Sequence, residues 1–213
     1  MREIALILVI MIMLSAGCVS QTIELDGVEV REYDGERLSS VNDFRENSIA
    51  GPQDVDISSY RLRVTGLVEN QKEYTYEEAV SLQTYSKVVT LYCVEGWEAR
   101  ILWEGIIVSD LIQKSGIKPE ANTVIFHAVD GYTTSLPIGY VTDKDIILAY
   151  RMNGVTLPKE RGFPFQLVAE DKWGYKWIKW VNEIELSNDP NYRGFWESRG
   201  YSNDANIEDS FYD

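Results

Sequence analysis

The chain has 213 residues, with 20 basic and 34 acidic side chains and a formal net charge of −14. This acid excess argues against nucleic acid and anionic lipid surfaces as partners, since both need a basic footprint. Hydrophobic residues make up 45% of the chain, enough for the core of one domain, and the length leaves no room for a second.

The N-terminus reads Met1-Arg2-Glu3, then an apolar run from Ile4 to Leu14, then Ser15-Ala16-Gly17-Cys18. The run falls short of the about 20 residues that a membrane-spanning helix needs, and it has the length of an export-signal h-region. Leu14-Ser15-Ala16-Gly17-Cys18 resembles the lipobox of prokaryotic lipoproteins. Residues 1–17 are therefore expected to be a signal peptide and Cys18 the lipid-modified start of the mature chain. That would anchor the protein at the cell surface or at the periplasmic face of the cytoplasmic membrane.

Residues 18–50 are polar without sustained patterning and read as a tether that becomes an ordered arm near Phe44. The globular domain is expected over 51–190, opening at Gly51-Pro52, with a tail at 191–213 that is acidic and loosely ordered from Asn203. Alternation predicts strands at 60–68, 87–92, 99–103, 123–129, 132–136, 146–152, 165–169 and 180–186. Short helices are predicted at 76–82, N-capped by Thr75, and at 108–114, stopped by Gly116. Asp130-Gly131 and Asn153-Gly154 read as hairpin corners, because glycine accepts the positive φ of a tight turn. Strands outnumber helices and the helices do not alternate with them, so the class is α+β with a mixed, partly barrel-like sheet.

Cys93 closes the apolar run Thr90-Leu91-Tyr92-Cys93-Val94-Glu95-Gly96-Trp97. If Cys18 carries lipid, Cys93 has no disulfide partner and is a buried hydrophobe, a nucleophile or a metal ligand. Three further segments have no evident packing reason for their composition. They are Asp130-Gly131-Tyr132-Thr133-Thr134-Ser135-Leu136-Pro137; Arg161 to Val168 leading into Lys172-Trp173-Gly174-Tyr175-Lys176-Trp177-Ile178-Lys179-Trp180-Val181; and Phe195-Trp196-Glu197-Ser198-Arg199-Gly200-Tyr201-Ser202.

In this order and spacing, the four segments resemble the molybdopterin-binding domain of the sulfite oxidase superfamily, from about Asn42 to Tyr201. The resemblance implies a molybdenum or tungsten molybdopterin cofactor with Cys93 as the protein's metal ligand, which suits a soft, sulfur-rich centre. It implies that Arg161, Gln166, Gly174, Trp177, Ile178 and Lys179 contact the cofactor, and that Lys176 points toward the substrate anion site. Lys172, Lys176 and Lys179 are read as the charge that holds the pterin phosphate. Gln166 departs from the family, which often has an arginine there. Asn42, Arg45 and Glu46 match an arm that closes over the pterin in bacterial relatives, and Tyr132 falls where sulfite oxidases carry a tyrosine beside the metal oxo group. His127, the only histidine, is read as structural.

Sulfite oxidases usually place an arginine four residues after the ligand cysteine, where this chain has Trp97. Cys-Val-Glu-x-Trp is instead similar to the catalytic subunit of the bacterial protein-methionine-sulfoxide reductase system. The resemblance thus implies reduction of a small-molecule sulfoxide or related S-oxide or N-oxide, with sulfite-type oxidation of an oxyanion as the alternative; Arg100 would partly restore charge if it turned inward. A non-redox surface lipoprotein using the fold as a binding module is the reading from another class. Without the extra dimerisation and haem domains of many sulfite oxidases, the chain is expected to be a monomer served by an external electron carrier, such as a membrane haem protein.

Overall fold

The computed structural model describes residues 27–213. The expected signal segment, with its lipobox-like stretch and Cys18, lies outside the described residues.

Twelve strands and three helices follow one another along the described chain. They are β1 (Glu32–Tyr33), β2 (Glu36–Arg37), β3 (Leu62–Gly66), β4 (Lys72–Tyr74), α1 (Tyr76–Val80), β5 (Tyr85–Tyr92), β6 (Glu98–Ile107), α2 (Val108–Ser115), β7 (Thr123–Ala128), β8 (Thr133–Pro137), α3 (Ile138–Asp143), β9 (Ile147–Met152), β10 (Val155–Thr156), β11 (Gln166–Val168) and β12 (Val181–Ser187). Short 3-10 turns lie at Lys159–Arg161, Gly174–Lys176 and Glu197–Arg199.

The strands form two five-stranded sheets besides the β1-β2 hairpin. The first runs β10-β9-β6-β5, with β11 also pairing β9, and all its pairs are antiparallel. The second runs β4-β3-β12-β7-β8 and is mixed, because β3 and β12 are parallel. Neither closes on itself, so the expected barrel-like character is replaced by two open sheets. A continuous apolar cluster joins them, with Trp103, Leu148 and Ala149 from the first and Val64, Phe126 and Ile184 from the second.

Local chemistry accounts for most of the elements. Thr75 and Glu78 form a reciprocal capping box that starts α1. In α2, Val108, Leu111, Ile112 and Ser115 turn inward at helical spacing, and Gly116 ends it at φ 71°. The Asn153-Gly154 corner has both residues at positive φ, 48° and 77°, which lets β9 turn directly into β10. Asp34-Gly35 makes the same kind of corner between β1 and β2, a strand pair not predicted from the sequence. The sequence reading also missed α3, which begins after Pro137 and carries a glycine in its first turn.

Both ends of the described chain are packed more tightly than expected. Leu38 and Val41 enter the core, and Asn153 donates to the Ser39 carbonyl at 2.8 Å, so residues 27–50 lie on the domain rather than forming a tether. In the tail Ala205 is fully buried and its carbonyl accepts from the Trp173 amide at 2.8 Å.

Gly105 sits where the β6–β9 register shifts, and a Cβ there would meet the Leu148 carbonyl oxygen at 2.2 Å. A Gly105→Ala variant is expected to lose about 1–3 kcal/mol, as overpacked cores do. Urea unfolding measures it, and an unchanged midpoint would refute the close approach.

Candidate active site

Strand β5 ends at Tyr92, and the five residues Cys93 to Trp97 carry the chain back into β6. The Cys93 amide donates to the Trp97 carbonyl at 2.9 Å, the Gly96 amide donates to the Cys93 carbonyl at 3.0 Å, and Gly96 takes φ 84°. This turn fixes Cys93, which as a residue is 9% exposed. Two donors face it, the Glu95 amide at 3.5 Å and Asn47 Nδ2 at 3.6 Å. Burial pushes the thiol up, while these donors pull it back. Such N–H groups around a sulfur suit a thiolate bound to metal.

Cys93 opens on a cavity of about 490 Å³. Its walls come from four distant stretches: the arm 44–51, the Cys93 turn, the β7–β8 corner at Asp130 and Tyr132, and the run 160–180, with Trp196 and Tyr201 at one side. The arm is held by Arg161, whose guanidinium donates to the carbonyls of Val41 at 2.8 Å, Arg45 at 3.1 Å and Phe44 at 2.6 Å, and stacks 3.9 Å from the Phe44 ring centroid. Phe44 in turn packs on Trp97, with ring centroids 5.5 Å apart. Trp180, also on the wall, is held at φ 53°, a strained conformation for a bulky residue.

The structure sorts the sequence-predicted residues. Cys93, Arg45, Glu46, Tyr132, Arg161, Gln166, Gly174, Trp177, Ile178 and Lys179 all line the cavity. Asn42 does not: it is exposed, and Asn47 is the arm residue that reaches Cys93. Lys176 points away from the cavity into the core. Its ammonium, fully buried, donates to Glu197 Oε1 at 2.7 Å, the Ser135 carbonyl at 3.0 Å and Asn203 Oδ1 at 3.2 Å. Lys172 also turns away, toward the tail, donating to the Asp204 carbonyl at 2.8 Å and Asn206 Oδ1 at 2.6 Å. Arg100 faces outward and pairs with Glu36. His127 pairs with Glu185 at 2.8 Å across β7 and β12, outside the cavity lining.

Tyr132 reaches the cavity wall, but its hydroxyl donates to the Tyr175 carbonyl at 2.5 Å. Burial, reinforced by the Glu197 charge, pushes its pKa well up and keeps it a neutral phenol. Tyr175 and Tyr201 are the other phenols on the wall: the Tyr175 hydroxyl donates to the Ser202 carbonyl at 2.8 Å, and Tyr201 is raised by burial first, then by its hydrogen bond and charge interaction with Tyr212, and last by Cys93 and Glu95. The sequence reading quoted the segment of Tyr201 without giving that residue a role; its place five residues after Trp196, also on the wall, was the available signal.

The donor set fits a metal-pterin group. Among the described residues no cluster of three or more His, Cys, Asp or Glu forms a metal site, so a metal at Cys93 needs its other ligands from a non-protein group. Ser48 Oγ and Trp97 Nε1, both on the cavity wall, are buried without hydrogen-bond partners, and a buried unmet donor is costly unless something supplies an acceptor. Gly174, on the wall, lets the two backbones approach closely, since a Cβ there would stand 3.1 Å from the Tyr92 carbonyl oxygen and 3.6 Å from the Cys93 Cα.

Residues 49–196 match the family described as oxidoreductase molybdopterin binding domain. Similar proteins include the uncharacterized oxidoreductase YuiH of Bacillus subtilis (strain 168), 35% identical over 148 residues, spanning 68% of this chain and 74% of that protein. The putative protein-methionine-sulfoxide reductase subunit YedZ1 of Azospira oryzae is 33% identical over 151 residues, spanning 70% of this chain and 57% of that one. Sulfite oxidase of Arabidopsis thaliana is 27% identical, and the match spans only 46% of its length. Among solved structures, the sulfane dehydrogenase SoxCD of Paracoccus pantotrophus superposes with a TM-score of 0.62 at 25% identity, over 65% of this chain and 41% of that one. A cysteine-headed cavity with unmet donors, set in a domain that matches over this span, makes the chain an enzyme of the molybdopterin-binding oxidoreductases, in the sulfite oxidase family.

Proposed function

We propose that the enzyme reduces a sulfoxide or a related neutral S-oxide or N-oxide. The observation that carries this reading is the state of the cations around the cavity. Three cationic side chains line it among the described residues, and each is engaged: Arg161 on arm carbonyls, Lys179 on Glu46, and Arg45 with Glu95 at 3.8 Å. Lys172 and Lys176 are turned elsewhere. Stripping water from a dianion such as sulfite is costly without a free cation to receive it. A sulfoxide is neutral overall and carries a strong acceptor oxygen, which suits an apolar wall with unmet donors such as Trp97 Nε1.

In this reading Cys93 would hold molybdenum, and Ser48, Gln166, Ile178 and Lys179 with the backbone at Gly174 would hold the pterin. When bound, the metal-pterin group supplies two-electron oxygen-atom transfer, and the protein supplies orientation and electrostatics. The net reaction consumes two protons and two electrons: the S–O bond breaks, the sulfur is reduced to a thioether, and the oxygen leaves as water. The Tyr201 phenol, neutral and on the wall near Cys93, is the placed donor for one of those protons. Phe44, Trp97 and Trp196 exclude water from the cavity. The electrons come from an external carrier, and the Cys18 lipid anchor would keep the enzyme at the outer face of the membrane beside such a carrier. The name carried by the Azospira relative points the same way.

Steady-state assays on one cofactor-loaded preparation, with an artificial electron donor or acceptor, compare methionine sulfoxide, dimethyl sulfoxide and sulfite. The expected result is reduction of the sulfoxides with little sulfite oxidation. Robust sulfite oxidation without S-oxide reduction would overturn the substrate assignment and leave the family standing.

A further inference from the structure

Two of the four rings that pack on Tyr201 do not touch the cavity. The 3-10 turn before it ends at Arg199, and Gly200 follows at φ 96°, so no element of its own fixes the direction of the Tyr201 side chain. What surrounds the ring is aromatic. Tyr175 and Trp196 stand on the cavity side with centroids at 5.1 and 5.2 Å, while Phe211 stacks behind it at 6.1 Å and Tyr212 at 5.0 Å. Neither Phe211 nor Tyr212 lines the cavity. Both of them, and Tyr201 itself, lie beyond the stretch that matches the family, residues 49–196.

The segment that carries them is pinned to the domain at several points. The Ser202 amide donates to the Phe211 carbonyl at 3.0 Å and the Asp213 amide to the Gly200 carbonyl at 3.3 Å, so Tyr201 and Tyr212 face each other as an isolated antiparallel bridge. Arg193 pairs with Asp213 at 2.6 Å. Trp173 packs edge-on against Phe211 at 5.6 Å and donates from its indole to the Asp209 carbonyl at 3.2 Å. The Lys172 ammonium, drawn away from the cavity, holds the same segment at Asp204 and Asn206.

We propose that Phe211 and Tyr212 are positioning residues for catalysis, holding the Tyr201 phenol in the Cys93 cavity from outside the cavity lining. The inference rests on the Cys93 cavity being the active site and on no particular substrate. A ring packed among four aromatic neighbours loses the freedom to swing away from the reacting atoms, and misplacing a proton donor by an ångström lowers turnover more than binding.

The test uses the cofactor-loaded full chain and whichever substrate, S-oxide or sulfite, it turns over. Phe211→Ala and Tyr212→Ala are each made in the parent and in a Tyr201→Phe background. Each single variant is expected to lower kcat about tenfold or more with KM changed less than about threefold. In the Tyr201→Phe background the same changes are expected to add nothing, because the residue they act through is already disabled. A full further loss in that background would mean a general structural role and would overturn the proposal. Fluorine NMR with a fluorotyrosine at position 201 supplies a readout independent of substrate. One sharp resonance in the parent should broaden or split in Tyr212→Ala at an unchanged melting temperature. An unchanged line in both variants would equally overturn it.

Discussion

A Cys93→Ser variant is expected to fold and to lose oxygen-atom transfer by about a thousandfold or more, because an alcohol does not ionise to bind a soft metal as a thiol does. The swap is nearly isosteric, and the two donors on the sulfur, Asn47 Nδ2 and the Glu95 amide, have an oxygen to bond instead. The stability cost should therefore stay within about 1 kcal/mol. Melting curves, metal content and turnover on one preparation separate these effects. Retention of more than about a tenth of parental turnover would remove Cys93 from the metal.

The second large effect concerns stability. Lys176 and Glu197 are both fully buried and 2.7 Å apart, and Thr134 also donates to the same Glu197 oxygen. Burial pulls the lysine pKa down and the adjoining carboxylate pulls it back up. Removing either partner alone leaves an uncompensated charge in the core, so Lys176→Ala or Glu197→Ala should each cost about 3–5 kcal/mol. At roughly 2–4 °C per kcal/mol for a chain of this size, the melting temperature should fall by about 10 °C. The double change Lys176→Met with Glu197→Leu is expected to recover much of that loss, since an apolar pair of similar volume often replaces a buried ion pair at little cost. A single variant costing under about 1 kcal/mol would return Lys176 to the candidates for anion binding.

The fate of Lys176 shows where sequence reading stops. Strands β5 to β9 were legible because alternation and glycine corners are local signals, and Cys93 was legible from the composition around it. The run from Lys172 to Trp180 interleaves lysines with tryptophans, and its three lysines were read together as the charge that holds the pterin phosphate. The chain instead makes a 3-10 turn at Gly174–Lys176, which sends Lys172 toward the tail, Lys176 into the core and Lys179 to the cavity. Residue type and spacing alone have no means of making that division. The choice between Tyr132 and Tyr201 was hidden for a similar reason: only the fold shows that the Tyr132 proton is committed to the Tyr175 carbonyl.

Arg161 grips the carbonyls of Val41, Phe44 and Arg45, at sequence separations of 120, 117 and 116 residues. These are among the most distant contacts in the chain, and closing so long a loop comes late in folding because its entropy cost precedes any reward. The arm emerges first during synthesis, yet it has no place to settle until the Arg161 turn has formed. The cavity is therefore among the last features to be completed, together with the β3–β12 pairing, which closes a loop as long. Replacing Arg161 by lysine would keep the charge and lose the fork that reaches three carbonyls at once, leaving a folded domain whose pocket is one wall short.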